Sequence, residues 1–173
     1  MGHNEKTVLF HQGARRAGQE CGSQEGSKAP NFKLPSTSGT FQLSDNIGKN
    51  IILYFYPKDN TKGCSIEAND FNNSLKIFND NNATVVGVSK DTIESHKKFK
   101  EKNKLKFELL SDEKTIVLKK YKAWGLKKFL GKSYFGIIRT TVLINEKGKI
   151  VKTWSNVRVK DHVKNVINEL SNI

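Results

Sequence analysis

Cys64 is the residue whose type and surroundings point most directly to chemistry in this chain of 173 residues. It stands in PKDNTKGCSIEA, after the apolar run IILYFY, and its neighbours are turn residues rather than core residues. We predict a buried strand that ends at Pro57 and a helix that begins near Cys64. The free N–H groups and the dipole at the start of such a helix favour a thiolate. The sequence therefore predicts a nucleophilic cysteine.

The chain offers Cys64 only one other thiol, Cys21, which lies in a polar, glycine-rich N-terminal stretch. The sequence contains no CxxC pair and no cysteine–histidine spacing of the kind that ligates zinc. A thioredoxin-type oxidoreductase would need CxxC, and normally a proline at the position of Thr140. We therefore expect neither a disulfide oxidoreductase nor a bound metal or cofactor.

Arg139 is the second residue that stands out. It is one of four arginines in a chain that carries 30 lysines and arginines together, and it precedes the apolar run TTVLI. Arginine is preferred over lysine where a planar group must make several directed contacts. The alternative is that Arg139 is simply one more base on a basic chain.

Three separated segments carry a resemblance to a known family. The pattern Pro57-x-x-x-Thr61-x-x-Cys64 resembles the peroxiredoxin signature. YFYPKDNTKGCSIEA, APNFKLPSTSGTFQLSD and FGIIRTTVLINEKGKI are similar to the active-site, opening and late-strand regions of the Q-type, or bacterioferritin comigratory protein, subfamily. The resemblance covers about residues 27–173 and implies a thiol-dependent peroxidase of hydrogen peroxide and organic hydroperoxides.

The resemblance implies roles for particular residues. Cys64 would be the peroxidatic cysteine, whose thiolate attacks the O–O bond and becomes a sulfenic acid. Thr61 would hydrogen-bond to the peroxide. Arg139 would stabilise the thiolate and the charge that develops on the leaving oxygen.

Three further positions take supporting roles in the same resemblance. Pro57 would shape the loop and shield the thiolate from water. The backbone N–H of Gly63, with that of the cysteine, would complete the peroxide site. Glu67 would orient the loop, or would be an ordinary solvated helix residue.

The chain departs from the family where a resolving cysteine is often found. Asn69 occupies the position five residues after Cys64, and the next predicted helix, 91–103, contains no cysteine. Lys62 also replaces the usual proline. We therefore expect a one-Cys cycle completed by thioredoxin, glutaredoxin or glutathione. The alternative is that Cys21 resolves the sulfenic acid.

The net charge of +13 lies in residues 27–173, because acids and bases balance in residues 1–26. Eight lysines and arginines and no acid lie between Lys114 and Arg139. This basic face predicts a solvated surface or, as the alternative, a weak nucleic-acid contact with little peroxidase turnover. No apolar run is long enough for a membrane helix, and we expect no membrane partner. We expect a monomer or weak dimer inside the cell, in the cytoplasm, nucleus or an organelle matrix.

The spacing of apolar residues predicts the elements that position these groups. We expect an opening β-hairpin, alternating strands and helices, and then a closing hairpin and a last helix. The helix after Cys64 is predicted to carry Ile66 and Phe78 on its buried face and to end at Asn81-Asn82. A later helix is predicted to begin at Ser111-Asp112-Glu113.

This order predicts an α/β fold, thioredoxin-like, with three α/β/α layers around a central mixed sheet. We expect one such domain over residues 27–173. Residues 1–26 are predicted to be a disordered leader, a tag or a targeting segment.

Overall fold

The structure is a computed structural model of the chain, and it describes residues 25–173. Nine strands and five α-helices follow one another within that range. The strands are β1 (Lys33–Ser36), β2 (Gly39–Gln42), β3 (Asn50–Phe55), β4 (Ala83–Ser89), β5 (Glu108–Ser111), β6 (Trp124–Phe129), β7 (Lys132–Ile137), β8 (Thr140–Ile144) and β9 (Ile150–Trp154). The helices are α1 (Lys62–Asn73), α2 (Leu75–Asp80), α3 (Ile93–Asn103), α4 (Ile116–Lys120) and α5 (His162–Ser171), and a 3-10 helix covers Leu43–Asn46.

Seven strands form the central sheet in the order β2-β1-β5-β4-β3-β8-β9. β3, β4 and β5 are parallel, whereas β8 and β9 on one side and β1 and β2 on the other pair antiparallel. β6 and β7 pair only with each other in a separate two-stranded sheet. The mixed sheet with helices on both faces confirms the predicted three-layer, thioredoxin-like α/β fold.

β3 lies between β4 and β8 in the middle of the sheet, and all six of its residues are buried. Successive side chains of a strand point to opposite faces. Leu53 and Phe55 therefore pack into one cluster with α4, and Tyr54 and Tyr56 pack into a second with α1, α3 and α5. Burial on both faces explains the continuous apolar run IILYFY. The carboxyl end of β3 is therefore packed on both faces, directly before the loop that leads to Cys64.

The helix after Cys64 differs from the prediction in two ways. It is two helices, because the chain leaves the helical path at Ser74, whose N–H bonds the carbonyl of Phe71 at 3.1 Å. The side-chain amide of Asn72 bonds the backbone of Lys104 and Lys106 and ties this end of α1 to the segment after α3. Ile66 is exposed rather than buried, because the face toward the sheet is set by Cys64 and by the residues three, four and seven positions later.

Two further predictions of elements were wrong or incomplete. α4 begins at Ile116, not at Ser111–Glu113, because Thr115 adopts a left-handed conformation with φ of 61° that starts the helix late. The hairpin of β6 and β7 was not predicted. Its apolar residues are mixed with lysines and do not alternate toward a single buried face.

Candidate active site

Cys64 is the third residue of α1, at the carboxyl end of β3. Thr61 precedes the helix in an extended conformation, so the N–H groups of the first turn lack helical partners. Cys64 is a free thiol, and the residue is only 1% exposed to solvent. Cys64 therefore lies at a helix N-terminus, as predicted, and its sulfur is shielded from bulk water.

Arg139 reaches Cys64 from the opposite side of the site. Its Nη2 donates to Sγ of Cys64 at 3.3 Å, and its Nη1 donates to Oε1 of Glu67 at 2.6 Å. The residue precedes β8, and its carbonyl accepts from the N–H of Val157, which fixes the backbone. Burial works against the charge of Arg139, but Glu67 and then Cys64 outweigh it and raise the pKa of Arg139 above its ordinary value. The guanidinium is thus held against the sulfur by a buried carboxylate.

Glu67 is fully buried one helical turn after Cys64 and is not the solvated residue of the alternative interpretation. Burial raises the pKa of Glu67 from 4.5 to about 7, although the charge and the hydrogen bonds of Arg139 oppose that shift. Its Oε2, like the hydroxyl of Tyr54, is buried without a hydrogen-bond partner. The carboxyl group therefore changes charge near neutral pH while it holds Arg139.

The remaining predicted residues surround the sulfur less directly. The hydroxyl of Thr61 is exposed and donates to the carbonyl of Lys58 at 2.9 Å, so its proton is used within the loop. Pro57 is half-buried at the beginning of the loop. A Cβ on Gly63 would lie 3.3 Å from Nη2 of Arg139, so glycine permits the close approach of the guanidinium.

A buried polar network behind the loop was missed by sequence reasoning. Oδ1 of Asp59 accepts from the hydroxyl of Tyr56 at 2.6 Å, and Oδ2 lies 2.8 Å from both Oγ of Ser95 and Nδ1 of His96. Nε2 of His96 lies 2.8 Å from the carbonyl oxygen of Leu110. The sequence signal for this network was His96, a histidine on the apolar face of α3. Its buried partner, Asp59, explains why a histidine lies there. The network ties the loop before Cys64 to α3 and β5.

Asp91, two residues before the start of α3, extends this network. Its Oδ2 accepts from the N–H of Asp59 at 2.8 Å and from Oγ of Ser89 at 2.6 Å. Ligand atoms of Asp59, Asp91 and His96 lie within 4.8 Å of one another, a spacing that a metal ion could use. Each of these groups already has hydrogen-bond partners inside the network. The arrangement therefore serves as a hydrogen-bonded anchor for the loop.

Lys127, from the unpredicted β6–β7 hairpin, also approaches the site. Its Nζ donates to the carbonyl of Ile137 at 2.8 Å. Burial lowers the pKa of Lys127, Arg139 lowers it further, and Cys64 opposes both. The ammonium group of Lys127, which turns back to the root of the hairpin, is therefore within electrostatic reach of the sulfur.

Asn69 occupies the position where the family often carries a resolving cysteine, and its side chain makes two hydrogen bonds. Nδ2 of Asn69 donates to the carbonyl of Ser65 at 2.8 Å and to Oδ1 of Asn103 at 3.1 Å. Cys64 is the one cysteine in residues 25–173. Cys21 lies outside the described residues.

The expectations about the basic face and the oligomeric state remain predictions. In the part of the chain that the structure describes, none of the helices is long and apolar enough to cross a bilayer. The cellular compartment and the nucleic-acid contact also remain predictions.

The geometry suits attack by sulfur on an electrophile that leaves with negative charge. Nη2 of Arg139 donates to Sγ, which lies in the first turn of α1, where the backbone N–H groups have no helical partners. Donors fixed in a site closed to water stabilise a thiolate and the charge that develops beside it. This is the constellation that the sequence resemblance predicts for Cys64 and Arg139.

The comparisons with known proteins agree with this chemistry. The chain matches the AhpC/TSA family over residues 26–153. It is 46% identical to peroxiredoxin Bcp of Bacillus subtilis over 149 residues, which cover 86% of this chain and 95% of that protein. It is 44% identical to a putative peroxiredoxin bcp of Helicobacter pylori over 84% of this chain and 96% of that one. The solved bacterioferritin comigratory protein of Xanthomonas campestris superposes with a TM-score of 0.81 at 31% identity, over 86% and 98% of the two chains. The chain therefore belongs to the AhpC/TSA family and, within it, to the Bcp or Q-type peroxiredoxins, which are thiol-dependent peroxidases.

Proposed function

We propose that Cys64 is the peroxidatic cysteine of a one-Cys cycle, in which hydrogen peroxide or an organic hydroperoxide is reduced and an external thiol regenerates the enzyme. The observation that carries the proposal is the 3.3 Å contact between Nη2 of Arg139 and Sγ of Cys64. A guanidinium at that distance favours the thiolate over the thiol and leaves donors for the oxygen that departs.

In the first half of the cycle, Sγ of Cys64 attacks one oxygen of the peroxide as the O–O bond breaks. The sulfur gains that oxygen and becomes a sulfenic acid, and the other oxygen leaves as hydroxide or alkoxide and takes a proton from water. The Thr61 hydroxyl, whose proton is donated to Lys58, accepts from the peroxide O–H. The N–H groups of Gly63 and Cys64 and Nη2 of Arg139 donate to the oxygens, and Pro57 limits access of water.

In the second half, a thiolate of thioredoxin, glutaredoxin or glutathione attacks the sulfenic sulfur and releases water, which leaves a mixed disulfide. A second external thiol then attacks the mixed disulfide and restores the Cys64 thiol. Because Cys64 is 1% exposed, the start of α1 must open to admit the reductant. The hydrogen bonds of Asn69 lie within the segment that opens.

The other route is a two-Cys cycle in which Cys21 attacks the sulfenic acid. Cys21 stands four positions before Glu25, the first residue that the structure describes. We prefer the one-Cys cycle because a fast internal cycle requires a resolving thiol already positioned beside Cys64, and residues 25–173 contain no second cysteine.

The test is peroxide-dependent turnover in reductant-coupled assays, with thioredoxin, glutaredoxin plus glutathione, and dithiothreitol compared. Cys64→Ser is expected to abolish turnover with every reductant. Cys21→Ser is expected to keep the kcat of the unsubstituted protein. Loss of turnover in Cys21→Ser with Cys64 intact would contradict the one-Cys cycle, and persistent turnover in Cys64→Ser would contradict the assignment of the peroxidatic residue.

A further inference from the structure

The β6–β7 hairpin exposes large apolar side chains to solvent from its third strand pair to its turn. Leu126, Phe129, Leu130 and Phe135 are 56%, 65%, 85% and 67% exposed. Single exposed apolar residues are common, but four large ones on one hairpin indicate an interaction site. We call the two at the turn, Phe129 and Leu130, the hairpin tip.

The four exposed apolar residues of the hairpin lie on both faces of the ribbon. Leu126 pairs directly with Phe135, so these two share one face. Phe129 pairs with Lys132 on the opposite face, and Leu130 lies at the turn itself. A protein partner on one face would leave the other face in water. A medium that surrounds the end of the ribbon would cover Phe129 and Leu130 at the turn, and Leu126 and Phe135, three pairs further from the turn, would lie at its edge.

The conformation of the turn also argues that Leu130 has a role outside the fold. Leu130 and Gly131 have φ of 51° and 78°, the left-handed pair of a two-residue hairpin turn. Asparagine is the ordinary residue at the first position, because a leucine there is strained. Leu130 is the most exposed of the large apolar residues in the described part of the chain, so internal packing does not offset the strain.

The charges beside the hairpin tip have one sign. Lys128 and Lys132 lie beside the turn, whereas Lys127 turns back to the carbonyl of Ile137, and no acidic residue lies between Lys114 and Arg139. Two copies joined tip to tip would bring these lysines together, which disfavours a symmetric dimer. Long lysine side chains at such positions extend toward anionic headgroups while neighbouring apolar side chains enter the acyl boundary.

From this arrangement we infer that the hairpin tip inserts into the interface of an anionic lipid bilayer, with the flanking lysines at the headgroups. The expectation of no membrane partner rested on the lack of a spanning segment, and a hairpin that enters only the interface needs none. Insertion is shallow, because the outer edges of a two-stranded ribbon keep unpaired backbone groups that need water.

The position of the hairpin gives this contact a consequence for catalysis. Lys127, in the middle of β6, turns its ammonium group back to the carbonyl of Ile137 and is within electrostatic reach of Cys64 and Arg139. Docking would therefore hold the peroxide site near the bilayer surface, where hydroperoxides of membrane lipids would be the accessible substrates. This consequence rests on the proposed function, whereas the binding itself does not.

Binding is tested by flotation with vesicles of phosphatidylcholine, with and without phosphatidylserine. The unsubstituted protein is expected to float only with phosphatidylserine vesicles, and less at high salt. Leu130→Asn removes the apolar apex but suits the left-handed turn, so the fold should be kept while partitioning falls about tenfold. Ile116→Asn, which alters an exposed isoleucine on α4, is the matched control and should bind normally.

Several results would overturn the inference. No flotation with phosphatidylserine vesicles would do so, as would equal binding of Leu130→Asn and the unsubstituted protein. Without vesicle binding, a raised KM for thioredoxin in Leu130→Asn would assign the tip to a protein reductant, and a dimer that Leu130→Asn dissociates would assign it to a second copy.

The binding test is independent of the proposed cycle. Cys64→Ser should float like the unsubstituted protein even though it lacks peroxidase turnover. With dithiothreitol and hydrogen peroxide in solution, Leu130→Asn should retain the turnover of the unsubstituted protein. Failure of the membrane contact and failure of the peroxidase assignment therefore give different results.

Discussion

Nη2 of Arg139 lies 3.3 Å from Sγ of Cys64, although 75 residues separate the two in the chain. The same guanidinium donates through Nη1 to the buried carboxylate of Glu67 at 2.6 Å. One arginine thus connects the carboxylate to the sulfur, and its fork geometry lets it contact both at once.

Arg139→Lys is expected to lower kcat/KM for peroxide by about 10²–10³, because an ammonium group cannot donate to Glu67 and Cys64 in the same geometry. Stopped-flow measurement of peroxide reduction gives the value. Arg158→Lys, at an exposed arginine, is the control and should react normally. An unchanged kcat/KM in Arg139→Lys would exclude a catalytic role for the contact.

Glu67→Gln is expected to change how stability depends on pH. Burial raises the folded-state pKa of Glu67 from 4.5 to about 7, so its stabilising contribution is fully present below pH 4.5 and is lost as pH rises through 7. The loss is on the order of 3 kcal/mol. Glutamine does not titrate. The difference in unfolding free energy between the unsubstituted protein and Glu67→Gln should therefore fall over that pH range, as denaturant titrations would measure.

Comparing the unsubstituted protein with Glu67→Gln removes the contribution of His162 to the pH dependence of the unfolding free energy. Burial first, and then Arg139, lower the pKa of His162 to about 4, so its contribution is lost as pH falls from 6.5 through 4. That histidine is present in both proteins and cancels in the difference. The pH profile of kcat/KM should also lose an inflection near 7 in Glu67→Gln. Parallel stability curves would show that Glu67 does not titrate in this range.

Asp59→Asn is expected to lower the free energy of unfolding by about 1.5–3 kcal/mol, because its carboxylate is a buried acceptor for Tyr56, Ser95 and His96. Hydrogen exchange should quicken in the loop before α1. Asp45→Asn, at an exposed acid in the 3-10 helix, provides the control for charge removal. Equal stability of the two variants would mean that the network does not anchor the loop.

Asn69→Cys is expected to install an internal resolving thiol. Residues five apart in a helix rise by about 7.5 Å, beyond the usual span of a disulfide, so the bond requires α1 to open. One equivalent of peroxide should then produce the mass of a disulfide between Cys64 and the introduced thiol. Asn69→Ser, which keeps a polar side chain without a thiol, should retain the sulfenic acid. A stable sulfenic acid in Asn69→Cys would show that α1 does not open.

The sequence allowed prediction of the parts of the fold whose signal is local. The strand IILYFY is apolar throughout because both faces of β3 are buried, and Thr61 and Cys64 mark the start of α1 by their spacing. The β6–β7 hairpin escaped prediction because its exposed apolar residues obey no core periodicity. The late start of α4 depends on one left-handed residue, Thr115, which no sequence pattern indicated.

The candidate site was predictable only in part for a similar reason. Cys64 and Arg139 were found because a thiol and a rare arginine stand out by type and because three segments resemble one subfamily. The burial of Glu67 and the Asp59–His96 contact arise from tertiary packing between distant elements. A glutamate on a helix is expected to be solvated until the partner arginine, 72 residues away, is placed beside it.

The most direct measurement is the intact mass of the reduced protein after one equivalent of peroxide without added thiol, with peptide mapping of the product. We predict one added oxygen on Cys64, both in the unsubstituted protein and in Cys21→Ser, and its removal by glutathione or thioredoxin. A loss of two hydrogens with a Cys21–Cys64 disulfide would contradict the one-Cys cycle. An oxygen on any residue other than Cys64 would contradict the assignment of the peroxidatic cysteine.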